Sequence, residues 1–132
     1  MRLAAYRPLT LVQVAGHIRE RPEDDERAFR LCLEFLDEFT AEPRKAQPAL
    51  IEHEAGPTGT SRWDAFLGAL AEHLAFHAGF TVPAWAQEPA RFLGESWFLS
   101  DLPSARPSAL AESPAAFRRR AIWLTAEALD RA

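Results

Sequence analysis

Three consecutive arginines, Arg118, Arg119 and Arg120, follow Ser113-Pro114-Ala115-Ala116-Phe117 in a chain whose formal net charge is −4. Clustered guanidinium groups face carboxylates, phosphate or another chain, because each is permanently charged and carries five donors. Three successive helical positions fan over most of a turn, so at least one faces water and another can reach an internal carboxylate, and Arg118, Arg119 and Arg120 are all candidates for partner binding. A second candidate is His73 with His77, four apart on an expected helix, the spacing at which two imidazoles reach one metal. The residue after His73 is Leu74, not the glutamate of a zincin helix, and no third ligand is apparent, so no metal site is assigned. His53 lies between Glu52 and Glu54, but adjacent helical residues diverge and make no acid–base pair.

The remaining chemistry is excluded by motif. There is no Gly-x-Ser-x-Gly elbow, and the six glycines are scattered singly, without a phosphate loop or dinucleotide fingerprint. Cys32, the single cysteine, lies between Leu31 and Leu33 and reads as a buried apolar residue. No catalytic residue and no cofactor is assigned. The chain reads as a binding protein rather than an enzyme.

The elements that position these groups are helical. An apolar fraction of 48% with 26% charged residues describes an ordinary globular chain, and its size fits one domain over residues 1–132. Thr10 caps a helix whose stripe is Leu11, Val14, Ala15 and Ile18, and Pro22 ends it. A second helix is expected from Pro22 to about Ala41, with Glu23, Asp24, Asp25 and Glu26 at its positive end and Phe29, Cys32, Leu36 and Phe39 facing inward. A short helix over 49–54 follows, then a loop through Gly56, Pro57 and Gly59. Ser61 and Asp64 resemble a capping box for a helix over 62–78 that Gly79 stops. Beyond it, Pro83, Trp85, Pro89, Trp97, Pro103 and Pro107 alternate breakers with aromatics, with short helices expected near 88–93 and 107–112. Ser113 is expected to cap the turn at Pro114, residues 122–124 to be extended, and Thr125 to cap a last short helix. The expectation is an all-α domain of about six or seven helices, with the second helix and 62–78 packed together at its centre.

Charge narrows the partner. Residues 23–42 carry eight acidic side chains against Arg27 and Arg30, a net of −6. Read as the recognition element of a helix-turn-helix over 10–41, the alternative for this region, they would be repelled by phosphate. Glu34, Asp37 and Glu38 are instead candidates to meet a basic protein surface. Among the tryptophans, Trp63 and Trp97 read as core and Trp85, between Pro83 and Pro89, as an interface anchor. The N-terminus lacks the apolar stretch of a secretory signal and no run is long enough to cross a bilayer, so a cytoplasmic protein is expected.

Several segments carry a resemblance: Phe35-Leu36-Asp37-Glu38-Phe39, Arg62-Trp63-Asp64-Ala65-Phe66-Leu67 with Ala71-Glu72-His73-Leu74-Ala75, Val82-Pro83-Ala84-Trp85, Arg91-Phe92-Leu93, Trp97-Phe98, the arginine run and Leu129-Asp130-Arg131-Ala132. Together they resemble a family of small proteins of high-GC bacteria, similar to the antitoxin-like partners of nucleotidyltransferase-fold toxins of the abortive-infection type. The resemblance implies neutralisation by binding, with this chain covering the toxin's nucleotide or RNA site. It carries over no catalytic residue.

Overall fold

Helix α1 (Leu11–Glu20) begins where expected. Thr10 accepts from the Gln13 amide at 3.2 Å while the Gln13 side chain accepts from the Thr10 amide at 3.0 Å, a reciprocal box that satisfies two orphan donors. The computed structural model describes residues 7–130. Helix α2 spans Asp25–Ala41 and starts three residues later than the sequence led us to expect. Asp24, not Pro22, sets the start, because its carboxylate accepts from the Arg27 amide at 3.0 Å. Only Asp25 and Glu26 therefore lie in the first turn.

Residues 49–54 do not form the expected helix. A 3-10 turn at Pro48–Leu50 stops at once, and Leu50 and Ile51 turn into the core. The seven residues between Pro48 and Gly56 are too few to offset the cost of helix nucleation.

Helix α3 (Ser61–Ala78) is the centre of the domain. Thr60 caps it, accepting from the Arg62 and Trp63 amides, whereas Asp64 reaches back to the amide and hydroxyl of Thr58 at 2.7 and 2.8 Å. The expected Ser61–Asp64 box is thus replaced by a Thr60 cap with a separate Thr58–Asp64 clasp. At the other end Gly79 adopts φ 80°, a left-handed stop that a Cβ would strain.

From Trp63 to Ala71 almost every residue of α3 is buried, as befits a helix covered on all sides. Helix α1 and the 3-10 turns at Ala84–Gln87 and Pro89–Arg91 pack against it. So does the short helix introduced below as α5. Helix α2 meets it chiefly through its N-terminal end, where the Trp63 indole N–H donates to Asp25 at 2.8 Å and Phe29 stands edge-on to Phe66. The expected central α2–α3 pairing is corrected: α2 packs chiefly on α1, and its contacts with α3 are few.

The C-terminal half is built from short pieces. Helix α4 covers Arg106–Glu112 and helix α5 covers Ala115–Arg118. Strand β1 (Trp97–Phe98) pairs in parallel with strand β2 (Ile122–Trp123), with Trp97 opposite Ile122. Ser113 does not cap α5. Its hydroxyl contacts the Ala109 carbonyl at 2.7 Å and accepts the Leu124 amide at 2.9 Å, joining α4 to β2. Thr125 precedes a 3-10 turn at Ala126–Leu129 without a side-chain cap, and Glu112 accepts the Ala126 amide instead. The architecture is mostly helical and single-domain, and no described helix is long and apolar enough to cross a membrane.

Gly68 tests the packing of α3 on the 89–91 turn, since a Cβ there would lie 2.9 Å from the Arg91 Cβ. Alanine gains up to about 1 kcal/mol of helix propensity, and overpacking costs about 1–3 kcal/mol. Gly68→Ala is expected to lower the urea midpoint, a net loss of about 1 kcal/mol; an unchanged or higher midpoint contradicts this packing.

Candidate functional site

The arginine run divides into three separate environments. Arg118 is exposed and donates to the carbonyls of Ala111 and Ser113, closing the end of α4. Arg119 is half-exposed; it bridges Glu72 at 3.1 Å and Gln87 at 3.2 Å and lies over Phe92. Arg120 is 0% exposed. It donates to the carbonyls of Arg91, Ala116 and Ala86 at 3.1, 2.8 and 2.6 Å, and pairs with Glu72 at 2.9 Å. A guanidinium with that many internal partners is unavailable to another chain, so the assignment of Arg120 to partner binding is corrected.

Burial by itself raises the Glu72 carboxyl, but the hydrogen bonds and charges of Arg120, with Gln87 and Arg119, outweigh it and hold the group below its ordinary value. Burial lowers the affinity of Arg120 for its proton, and Glu72 opposes that. The pair is therefore ionised on both sides at neutral pH.

Trp85 is corrected in the same sense. It is 6% exposed, its indole N–H donates to the Ile51 carbonyl at 3.0 Å, and Arg91 stacks over its ring. The flanking prolines made it look like a loop tip, whereas they fold a tight turn that drives the ring inward. On α2, Glu34 and Asp37 are exposed, while Glu38 is half-buried and accepts the Leu9 amide at 2.8 Å. Glu38 therefore anchors the approach to α1, and the outward stripe of α2 is Glu26, Arg30, Glu34 and Asp37.

The His73 and His77 rings stand 4.3 Å apart, with His73 packed edge-on to Phe117. Among the described residues no group of three or more His, Cys, Asp or Glu side chains could hold a metal. Burial, reinforced by the His77 charge, lowers His73 to about 4. Cys32 is fully buried, and that burial pushes its thiol up, away from the reactive thiolate.

A cleft of ≈ 440 Å³ opens where the N-terminal end of α2 meets the strand pair and α4. Phe29, Trp97, Phe98 and Trp123 form its aromatic walls, and Asp25, Glu26 and Asp101 stand around it with Arg106. Arg106 lies over Phe98 at 5.0 Å from its centroid. Asp25 is already engaged by Trp63 and by Arg62 at 3.2 Å. The indole N–H of Trp123 is buried without an acceptor. The sequence reading missed this site. Its signal lay in the alternation of breakers and aromatics after residue 80, but Trp97 is only half-buried rather than core, and the β1–β2 pairing that seats Trp123 beside Phe98 spans twenty-odd residues.

No family model, curated protein or solved structure matches the chain.

Two measurements follow from this geometry. Arg120→Met leaves three carbonyls and Glu72 without their cation, so denaturant unfolding should show a loss of about 3–5 kcal/mol, against less than about 1 kcal/mol for Arg118→Ala. Equal losses would place Arg120 elsewhere. His73 is neutral in the fold, so the unfolded chain takes up its proton first as pH drops below the ordinary value of 6.5. Its contribution is full above pH 6.5 and declines toward pH 4, in the same direction as that of Glu72. The Tm of His73→Gln should fall less steeply across pH 6.5 to 4 than that of the parent, and an unchanged slope contradicts a buried, neutral His73.

Proposed function

We propose that this chain is a non-catalytic binding module for a basic protein surface, an antitoxin-like partner that neutralises a nucleotidyltransferase-fold toxin by covering its active or RNA-binding site. The observation that carries the reading is the outward face of α2, where Glu26, Glu34 and Asp37 outnumber Arg30 and Glu26 borders the aromatic cleft. A surface that holds nucleotide or RNA is basic, and exposed carboxylates complement it in charge. The kind of partner comes from the sequence resemblance; the preference for a basic one comes from charge. Buried Cys32 and the two-membered histidine pair supply no evident catalytic set among the described residues. A cytoplasmic location belongs to the same reading. A DNA-binding role for residues 10–41 is the weaker alternative, because the stripe would turn carboxylates toward phosphate.

Co-expression with the product of the neighbouring gene tests the proposal, which expects that product to be a nucleotidyltransferase-fold toxin. Co-purification and relief of the toxin's growth arrest are expected, and absence of binding at micromolar concentration contradicts it. Charge reversal at Glu26, Glu34 and Asp37 should weaken the complex by about tenfold or more at low salt and much less at high salt, because exposed charges are screened. An affinity indifferent to these changes would remove the acidic stripe from the interface.

A further inference from the structure

The two walls of the cleft are held very differently. On one side Asp25, Glu26 and Phe29 belong to α2, which packs on α1 and is tied to α3 by the Trp63–Asp25 hydrogen bond and the Phe29–Phe66 ring contact. On the other side Ala105, Arg106 and Ala109 belong to residues 100–112, a loop that leaves the strand pair and returns to it. Its base is fixed: the Leu99 amide donates to the Trp123 carbonyl at 3.0 Å, and the Ser113 hydroxyl accepts the Leu124 amide at 2.9 Å. Loops of about 6–16 residues with joined ends are Ω-loops, compact bodies on a narrow base. Here the 3-10 turn Pro103–Ala105 runs directly into α4, and Pro103 and Pro107 fix φ at the start of each, which stiffens the body. Ala109 is the one buried side chain of residues 100–112, and their backbone amides donate only within the loop. Its main outward ties beyond the base are Arg106 over Phe98, Glu112 to the Ala126 amide, the Ala111 carbonyl to Arg118 and the packing of α4 on β2. None of these reaches α2. So few buried contacts place the loop at the low end of local stability, and α4, with seven residues, is too short to hold by itself.

We propose that residues 100–112 form a flap that swings as one body on its base at Leu99 and Ser113 and gates the aromatic cleft, while α1, α2 and α3 stay folded. In the closed form Arg106 stands over the Phe98 ring at 5.0 Å and Trp123 stacks beside that ring, so this part of the aromatic wall is already occupied. Arg106 belongs to the flap, and opening lifts it off Phe98 and lifts α4 off β2. The Phe98 and Trp123 rings are then free for contact from the cleft. Closure restores the same ties. Access to the cleft is a property of the fold and does not depend on which surface a partner meets.

Native-state amide exchange of the full chain at rising, sub-denaturing urea tests the flap. Amides of residues 110–112 should exchange about a hundredfold or more faster than those of residues 67–71 in α3. Their rates should barely respond to urea, because local opening exposes little surface, whereas those of α3 rise with it. Ile18→Val in the buried face of α1 lowers global stability, so it should speed α3 exchange about threefold or more and leave residues 110–112 unchanged. Arg106→Gln removes the contact with Phe98 and should speed residues 110–112 about threefold without changing α3. The gate is read separately by fluorine NMR of the chain labelled with 5-fluorotryptophan, its signals assigned with Trp123→Phe. Trp123 should show exchange on the microsecond-to-millisecond scale, and buried Trp63 none. Residues 110–112 that exchange only together with α3, or that follow Ile18→Val as α3 does, overturn the proposal. So does an Arg106→Gln variant with unchanged rates. Fast amides in α4 with no exchange at Trp123 overturn it too, because the helix then frays without opening the cleft.

Discussion

The loop-rich half of this protein depends on one buried cation. Arg120 enters the interior from the turn after α5 and spends its donors on the carbonyls of Ala86, Arg91 and Ala116, with Glu72 of α3 as its counter-ion. Those carbonyls belong to 3-10 turns and a one-turn helix, where regular backbone pairing is short. Taking a guanidinium out of water costs several kcal/mol, and the arrangement holds only because nearly every donor finds an acceptor. Arg91 repeats the device beside it, reaching the carbonyls of Asp64 and Ala55 while stacking on Trp85. Arg44 closes the far end of α3 by donating to the Ala78 carbonyl. Three arginines thus do for irregular backbone what ladders do for sheets.

This division of labour shapes the outer surface. With Arg120 and Arg91 internal, and Arg119 tied to Glu72 and Gln87, the C-terminal half presents less positive charge than its composition implies. Among the carboxylates of α2, Asp25 and Glu38 have internal partners, while Glu26, Glu34 and Asp37 are exposed. The same turns that Arg120 holds lead into β1 and β2, which place Trp97, Phe98 and Trp123 against the start of α2. Internal electrostatics, surface charge and the aromatic cleft are therefore consequences of one network.

Sequence reasoning reached the long helices because their signals are local. Thr10 with Gln13, the apolar stripe of α1 and the Gly79 stop each act within a few residues. It misplaced the start of α2 because Pro22 and Asp24 both suit a helix N-terminus, and only the Asp24 hydrogen bond to Arg27 decides between them. It missed the burial of Trp85 and Arg120 because both depend on partners about thirty residues away or more. Which arginine of the run turns inward could not be resolved from three adjacent letters. Tertiary carbonyls, invisible in sequence, select Arg120 and leave Arg118 outside. Glu34 and Asp37 were legible because an amphipathic helix announces its outer face.

The most direct test of this account is a double-mutant cycle between Glu72→Gln and Arg120→Met, read by denaturant unfolding at neutral pH. A coupling of about 2–3 kcal/mol is predicted, the size expected of directly paired buried groups. Additive losses, with coupling near zero, would contradict the claim that this ion pair organises the fold and would return Arg120 to the surface.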